Sequence, residues 1–426
     1  MTDACFPNLA SALTLPCGAN LPNRIGKSAM SEALADKQTG VATEALATLY
    51  ERWGAGGTGL LISGNVMVAL EARGEPGQVV ITDDTQVAEL SRWAEAAQAH
   101  GAKLWMQINH AGRQTPRTIT KQPLAPSVVP MKGFGGAFSK PRALTDEEIR
   151  ALIDRYALAA AVAKQAGFSG AQIHGAHGYL VSQFLSPRTN LRDDDWGGDA
   201  ERRMRFLIEM VRAMRAAVGA KFPLGVKLNS ADFQRGGFTE EESMQVVEAL
   251  EAEGVDLLEI SGGNYESAAM TGSEKGKRES TRLREAYFLE YARKVRARTK
   301  MPLMLTGGMR RAETMESVLA EGAVDVIGVA RPLCVEPELS ARLLSGETEA
   351  ALPVDPSIGV RAADDMLQVV WFQRQLARMA KGQDPDPALS PFGVLAGGVG
   401  DMAKLAFSRS PKGPPLVDAQ PEKAPR

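Results

Sequence analysis

The chain predicts a closed (β/α)8 TIM barrel, and three observations carry that expectation. Eight β-type runs alternate with eight stretches of helical periodicity between residues 25 and 345. The second run contains Gly59-Leu60-Leu61-Ile62, nearly all apolar, as befits a strand buried on both faces of a parallel sheet. Three long connections, 112–142, 181–198 and 262–284, all leave the C-terminal ends of strands, the rim on which barrel enzymes assemble their sites. A doubly wound open sheet shares the alternation but requires a reversal of strand order that a sequence does not display.

Residues 1–24 read as an N-terminal hairpin capping the barrel, with short β-type runs at Leu13-Thr14-Leu15 and Gly18-Ala19-Asn20-Leu21 around a turn. Strands are expected at 25–30, 58–65, 103–109, 171–174, 224–229, 256–261, 302–306 and 325–330. Helices are expected at 41–53, from Asp84 or Thr85 to about His100, and at 199–218, 285–299, 310–321 and 336–345. Two more open with the capping boxes Thr145-Asp146-Glu147-Glu148 and Thr239-Glu240-Glu241-Glu242, where threonine and glutamate satisfy each other's unpaired backbone donors. The barrel then spans 25–353. A helix over 361–380 belongs to a C-terminal extension, 354–407, and the proline-rich 408–426 reads as a flexible tail. Loops as long as the three connections are usually functional, and lids are expected there.

At 426 residues the chain is long for one domain, yet a barrel with insertions absorbs that length. A net charge of −2 and a sequence pI near 6.2 give no electrostatic case for nucleic acid or an anionic membrane surface. No apolar run reaches the ~18 residues of a membrane span. The segment from Met1 to Pro7 lacks the basic-then-apolar pattern of a signal peptide. Cys5, Cys17 and Cys334 form no CxxC pair, so a reducing, cytoplasmic location is expected.

The densest chemistry is His174-Gly175-Ala176-His177-Gly178-Tyr179, at the end of the fourth strand. Two of only four histidines lie three residues apart here, with a tyrosine two further on, and the glycines permit a tight turn. Two neutral donors and a phenol of pKa ~10 suit holding a substrate oxygen and protonating a basic carbon. A zinc pair, with Asp193-Asp194-Asp195 as the nearby acidic candidate, and an ordinary loop are the alternatives. At the seventh and eighth strand ends, Gly307-Gly308 and Ala330-Arg331 precede helices and fall where barrels bind phosphate. Lys227 at the fifth end could stabilise negative charge on a ring system, or pair with Glu259. Gln107 at the third can offer a flat heterocycle both a donor and an acceptor.

Taken together, these stretches resemble the Old Yellow Enzyme family of FMN-dependent NAD(P)H oxidoreductases. The resemblance runs from about Leu13 to about Pro337. It rests on Leu21-Pro22-Asn23-Arg24-Ile25 with Met30, Gln107 to Arg113 (QINHAGR), and His174 to Pro187 (HGAHGYLVSQFLSP). Asn190-Leu191-Arg192, Trp196-Gly197-Gly198 with Glu201-Arg202-Arg203, Thr306-Gly307-Gly308 and Ala330-Arg331-Pro332-Leu333 add to it. It implies a barrel holding FMN at the strand C-termini and reducing an activated C=C bond with NADH or NADPH. The pair His174 and His177 would bind the substrate oxygen, and Tyr179 would protonate the α-carbon. Gln107 and Lys227 would meet the flavin ring. Ser28, Ala29, Met30, Ser31 and Asn65 would line it, and Gly307, Gly308, Ala330 and Arg331 would hold its phosphate. Three positions depart from the family: Ser31 stands where a cysteine or threonine is common, Ala29 replaces a proline, and Lys227 replaces an arginine fork.

The expected function is reduction of α,β-unsaturated carbonyl compounds. The alternative within the flavin class is oxidation or demethylation of amines or cyclic substrates. The expected partners are small molecules, with neither nucleic acid nor membrane. The appended helix, with Trp371-Phe372, would cover either the barrel or a second subunit of a homo-oligomer. Three scattered cysteines cannot supply the four iron–sulfur ligands of the larger dienoyl-CoA reductases.

Overall fold

Eight parallel strands close on themselves. They are β1 (Ile25–Lys27), β2 (Leu60–Met67), β3 (Lys103–Asn109), β4 (Gly170–Gly175), β5 (Leu224–Asn229), β6 (Leu257–Ser261), β7 (Leu303–Thr306) and β8 (Val326–Val329). β1 pairs in parallel with β8 on one side and β2 on the other, so the eight strands form a closed ring, with the short strand Val79–Val80 added beside the end of β2, and the open-sheet alternative is ruled out. This computed structural model describes residues 6–261, 277–395, 397, 413, 415 and 416.

The helices between the strands are α1 (Glu44–Ala55), α2 (Val87–Gln98), α3 (Asp146–Gln165), α4 (Ala200–Val218), α5 (Glu240–Ala252), α6 (Lys277–Arg296), α7 (Ala312–Ala320) and α8 (Leu339–Leu344). Both capping boxes form, at Thr145/Glu148 and Thr239/Glu242. Some boundaries differ from the sequence expectation. β1 stops at Lys27 instead of 30, and β2 runs on to Met67 through a register shift between Ile62 and Asn65. α6 begins at Lys277, so 277–284 is helix and not loop, while 262–276 lies outside the described residues. The connection 112–142 carries a two-stranded pairing of Leu124–Ala125 with Arg142–Ala143, and 181–198 opens with the helix Leu180–Leu185.

Inward-facing residues recur every second position along each strand and stack into layers. The lowest is apolar: Ile62, Trp105, Leu257, Met304 and Val326 pack with Leu13, Leu15 and Leu21 of the N-terminal hairpin. That hairpin, Leu13–Thr14 against Asn20–Leu21, plugs the barrel floor. The Trp105 indole fits because Gly170 and Gly225 face it, where a Cβ would lie 2.6 and 2.8 Å from its ring atoms. Two residues further along each strand the lining turns polar, with Ser28, Gln107, Gln172, Lys227, Glu259 and Thr306. One more step brings Asn109, His174, Asn229 and Ser261 to the rim.

Outside the barrel, α9 (Arg361–Met379) packs against α1 and the turn Arg331–Cys334. Trp371 is buried there and donates to the Leu389 carbonyl at 2.9 Å, so the extension covers its own chain. Of the expected tail, only positions 413, 415 and 416 are described; the Pro415 carbonyl accepts from Arg155 at 2.7 Å.

Candidate active site

Strand β4 ends at Gly175, and the chain turns through His177, one of the non-glycine residues at positive φ (61°). That uncommon conformation is held from both sides. The His177 N–H donates to Asn229 Oδ1 at 3.2 Å, and its carbonyl accepts from Gln114 Nε2 at 2.8 Å. The turn brings three rings together: His174 lies 5.0 Å from His177 and 4.8 Å from Tyr179, both edge-on. Tyr179 is also packed among Met67, Leu70, Val80 and Ala111.

The hydrogen bonding fixes what these rings offer. His174 Nδ1 accepts from the Ala176 N–H at 3.2 Å, so in the neutral ring Nε2 carries the proton and is the donor. His177 Nε2 lies 2.7 Å from Ser261 Oγ and therefore already has an oxygen partner. Burial holds both imidazoles well below their usual pKa, and the nearby Lys227 ammonium pushes the same way, as does His177 on His174. Both rings are neutral at pH 7.

One layer below the rim, the polar side chains are joined without a break. Gln107 Nε2 donates to Gln172 Oε1 at 2.7 Å, and Gln172 Nε2 donates to Glu259 Oε2 at 2.9 Å. Thr306 Oγ1 donates to Glu259 Oε1 at 2.7 Å, and the Ser28 and Thr306 hydroxyls are 2.6 Å apart. Lys227 Nζ sits 2.9 Å from Glu259 Oε1, with Glu259 directly opposite Lys227 in the β5–β6 register. Burial drives the Glu259 carboxyl up, but Lys227, Thr306 and Gln172 together outweigh it, and its pKa ends below the ordinary value. The sequence offers both roles for Lys227, ring-charge stabiliser and ion-pair partner; the ion pair is present. Gly328 leaves room for the belt, since a Cβ there would lie 2.0 Å from Thr306 Oγ1.

The remaining positions named from the sequence take several places. Asn65 Oδ1 accepts from Asn109 Nδ2 at 3.0 Å at the β2–β3 rim. The Ser28 hydroxyl points into the barrel, while Ala29 packs beside the floor cluster and Met30 Sδ lies 3.4 Å from Cys334 Sγ. The Ser31 hydroxyl accepts from Gln78 Nε2 at 3.3 Å. Gly307 and Gly308 have φ of 130° and 78°, and the nearest atom to a Cβ on Gly307 is a Phe288 carbon 4.0 Å away. Ala330 precedes the turn at Arg331–Cys334, and Arg331, which is exposed, donates to Gln368 Oε1 at 3.3 Å.

Gln172, Ser63 (whose hydroxyl accepts from the Gln107 N–H at 2.8 Å), Ser261, Glu75 and Gln373 are given no role by the sequence reading. Gln172 and Ser261 carry a signal that could have found them, because each lies two residues along the same strand face from His174 or Glu259. Gln373 of α9 donates to Glu75 Oε2 at 2.9 Å and no sequence spacing links the two. The acidic run is held by arginines: Asp194 pairs with Arg192 and Asp195 with Arg205. Among the described residues no group of three or more His, Cys, Asp or Glu could hold a metal ion. No helix among them is long and apolar enough to cross a membrane.

A model of the NADH:flavin oxidoreductase / NADH oxidase family matches residues 16–349, the barrel with part of its hairpin. The chain belongs to that family. It is an FMN-dependent oxidoreductase with the Old Yellow Enzyme fold. Its similarity to the NADH-dependent flavin oxidoreductase iliE of Hypocrea jecorina (strain QM6a) is 37% identity over 350 residues, covering 77% of this chain and 86% of that one. The Old Yellow Enzyme homologue from Zymomonas mobilis superposes with a TM-score of 0.68 at 25% identity, over 83% of this chain and 95% of that one. Morphinone reductase in complex with tetrahydroNAD gives 0.67 at 26% identity, over 83% and 93%. The donor set fits FMN. A buried ammonium and an amide lie just below one side of the mouth, and two positive-φ glycines, Gly307 with open space beside it, and an arginine line the other.

Proposed function

We propose that this family member is an ene reductase acting on α,β-unsaturated carbonyl compounds. The observation that supports it best is the fixed tautomer of His174, which aims an N–H donor from the same turn that carries His177 and Tyr179. An N–H donor on a neutral ring binds a carbonyl oxygen; it offers nothing to a protonated amine, which counts against the amine-oxidising alternative.

FMN, when bound, carries the hydride from NADH or NADPH to the substrate β-carbon. In this reading Gln107, Lys227, Ser28, Ala29, Met30, Ser31 and Asn65 hold its ring and Gly307, Gly308, Ala330 and Arg331 its phosphate. His174 and His177 hold the carbonyl oxygen and draw electron density toward it. The Tyr179 hydroxyl gives its proton to the α-carbon, and solvent restores it.

The test separates the two half-reactions. Tyr179→Phe should leave the rate of flavin reduction by NADH within about twofold of the parent while slowing enone turnover by about 10²–10⁴-fold, the usual worth of a general acid. Equal loss in both half-reactions, read by stopped-flow absorbance, refutes the role.

A further inference from the structure

The polar belt has a direction, and Glu259 sets it. An ionised carboxylate can only accept hydrogen bonds, so every neighbour must point a hydrogen at it. Gln172 therefore turns its NH2 toward Glu259 Oε2, which leaves its carbonyl oxygen to face Gln107. Gln107 must answer with its own NH2, at 2.7 Å. That commitment leaves Gln107 its Oε1 acceptor and one N–H for a ligand. On the other side, Thr306 spends its only hydroxyl hydrogen on Glu259, so the hydrogen in its 2.6 Å contact with Ser28 comes from Ser28. Ser28, Gln107, Gln172 and Glu259 are buried, Glu259 and Gln172 completely so, and Thr306 is half-buried. That burial shields the two amides from the solvent that would support a second orientation.

We propose that Glu259 is the positioning residue of the flavin site: through Gln172 it locks the Gln107 amide with its oxygen ready for a ring N–H, and through Lys227 it balances the one ammonium in the belt. This inference rests on the flavin reading above. A flavin pyrimidine presents an imide N–H flanked by carbonyl oxygens, which a locked amide with one acceptor and one N–H matches. Reduction places negative charge on that ring, so a balanced Lys227 favours the reduced form less than an unbalanced one would.

Flavin affinity and midpoint potential of the purified chain, measured by fluorescence titration of the apoprotein with FMN and by dye-coupled potentiometry, read out both halves. Glu259→Gln leaves Lys227 unbalanced and should move the potential to more positive values. The double variant Lys227→Met/Glu259→Gln should bring it back, and Glu259→Asp should stay near the parent. Gln172→Met keeps the ion pair but cuts the relay; it should retain the parent potential and weaken FMN binding about tenfold, the worth of about one hydrogen bond. It also tests the orienting role should Glu259→Gln not fold. An unshifted potential in Glu259→Gln, or unchanged FMN affinity in Gln172→Met, overturns the inference while leaving flavin binding intact. A parent chain that binds no FMN overturns the flavin reading with it.

Discussion

Gly328→Ala is the sharpest test of the belt as a packed object. The new Cβ would sit 2.0 Å from Thr306 Oγ1, 2.8 Å from Ser28 Oγ and 2.9 Å from Met304 Cε. Met304 is flexible and gives way, but Thr306 and Ser28 are tied to Glu259 and to each other. Overpacking of this kind costs about 1–3 kcal/mol, and breaking one buried hydrogen bond adds roughly 1 kcal/mol more, so a loss of about 2–4 kcal/mol is expected. Urea unfolding followed by tryptophan fluorescence would measure it, with Trp105 lying in the layer immediately below. In a Thr306→Ala background the closest clash is gone, and the same glycine substitution should cost about 1–2 kcal/mol less. Effects that add to within about 0.5 kcal/mol would refute the picture of a shared, crowded belt.

Three further outcomes follow from single groups. Burial, helped by Arg155, depresses the His110 pKa from 6.5 to about 3, so the folded chain resists a proton that the unfolded chain accepts. Stability is therefore lost as pH falls below 6.5, by about 3 kcal/mol at pH 4.5; the acid slope should shrink by that much in His110→Asn, which keeps an acceptor for the Gly112 N–H, and equal slopes would refute it. The Tyr156 hydroxyl is buried with no hydrogen-bond partner among the described residues, so Tyr156→Phe should be neutral or stabilising by about 1 kcal/mol, and a loss above that in a melt would count against the packing described. Ser261→Ala removes the hydroxyl that shares His177 Nε2 and should tighten phenol binding by up to about tenfold, read from the long-wavelength charge-transfer band; weaker binding would show that Ser261 positions the ring instead of competing for it.

The architecture was legible in the sequence because strand and helix periods alternate cleanly, and β3 and β5 fall on their expected boundaries. The glycines and rings of 174–179 were legible as a turn carrying convergent groups. Less visible were the features set by neighbours across the barrel. Whether Lys227 faces a ligand or Glu259 depends on the β5–β6 register, which no local pattern encodes. Gln172 looked like one polar residue in an apolar run, although its i, i+2 relation to His174 marks the same face. The early start of α6 was missed because Lys277–Arg296 is rich in charge at its beginning and shows little apolar stripe there. The partnership of Gln373 with Glu75 joins segments about 300 positions apart and belongs to tertiary packing alone.

Closure of the barrel depends on a strand of three residues at one end of the chain and a strand of four near the other, with Ile25 beside Ile327. During synthesis β1 leaves the ribosome early and waits through the whole of β2 to β7 for its second neighbour. Until then the growing sheet has exposed edges, and such edges are templates for pairing with other chains. The Ser28 and Thr306 hydroxyls can likewise meet only late, so the polar belt is among the last parts of the molecule to assemble. A nascent or truncated chain lacking β8 would therefore carry the turn after β4 while its sheet edges are still open and prone to pair with other chains, a hazard that ends only when β8 joins.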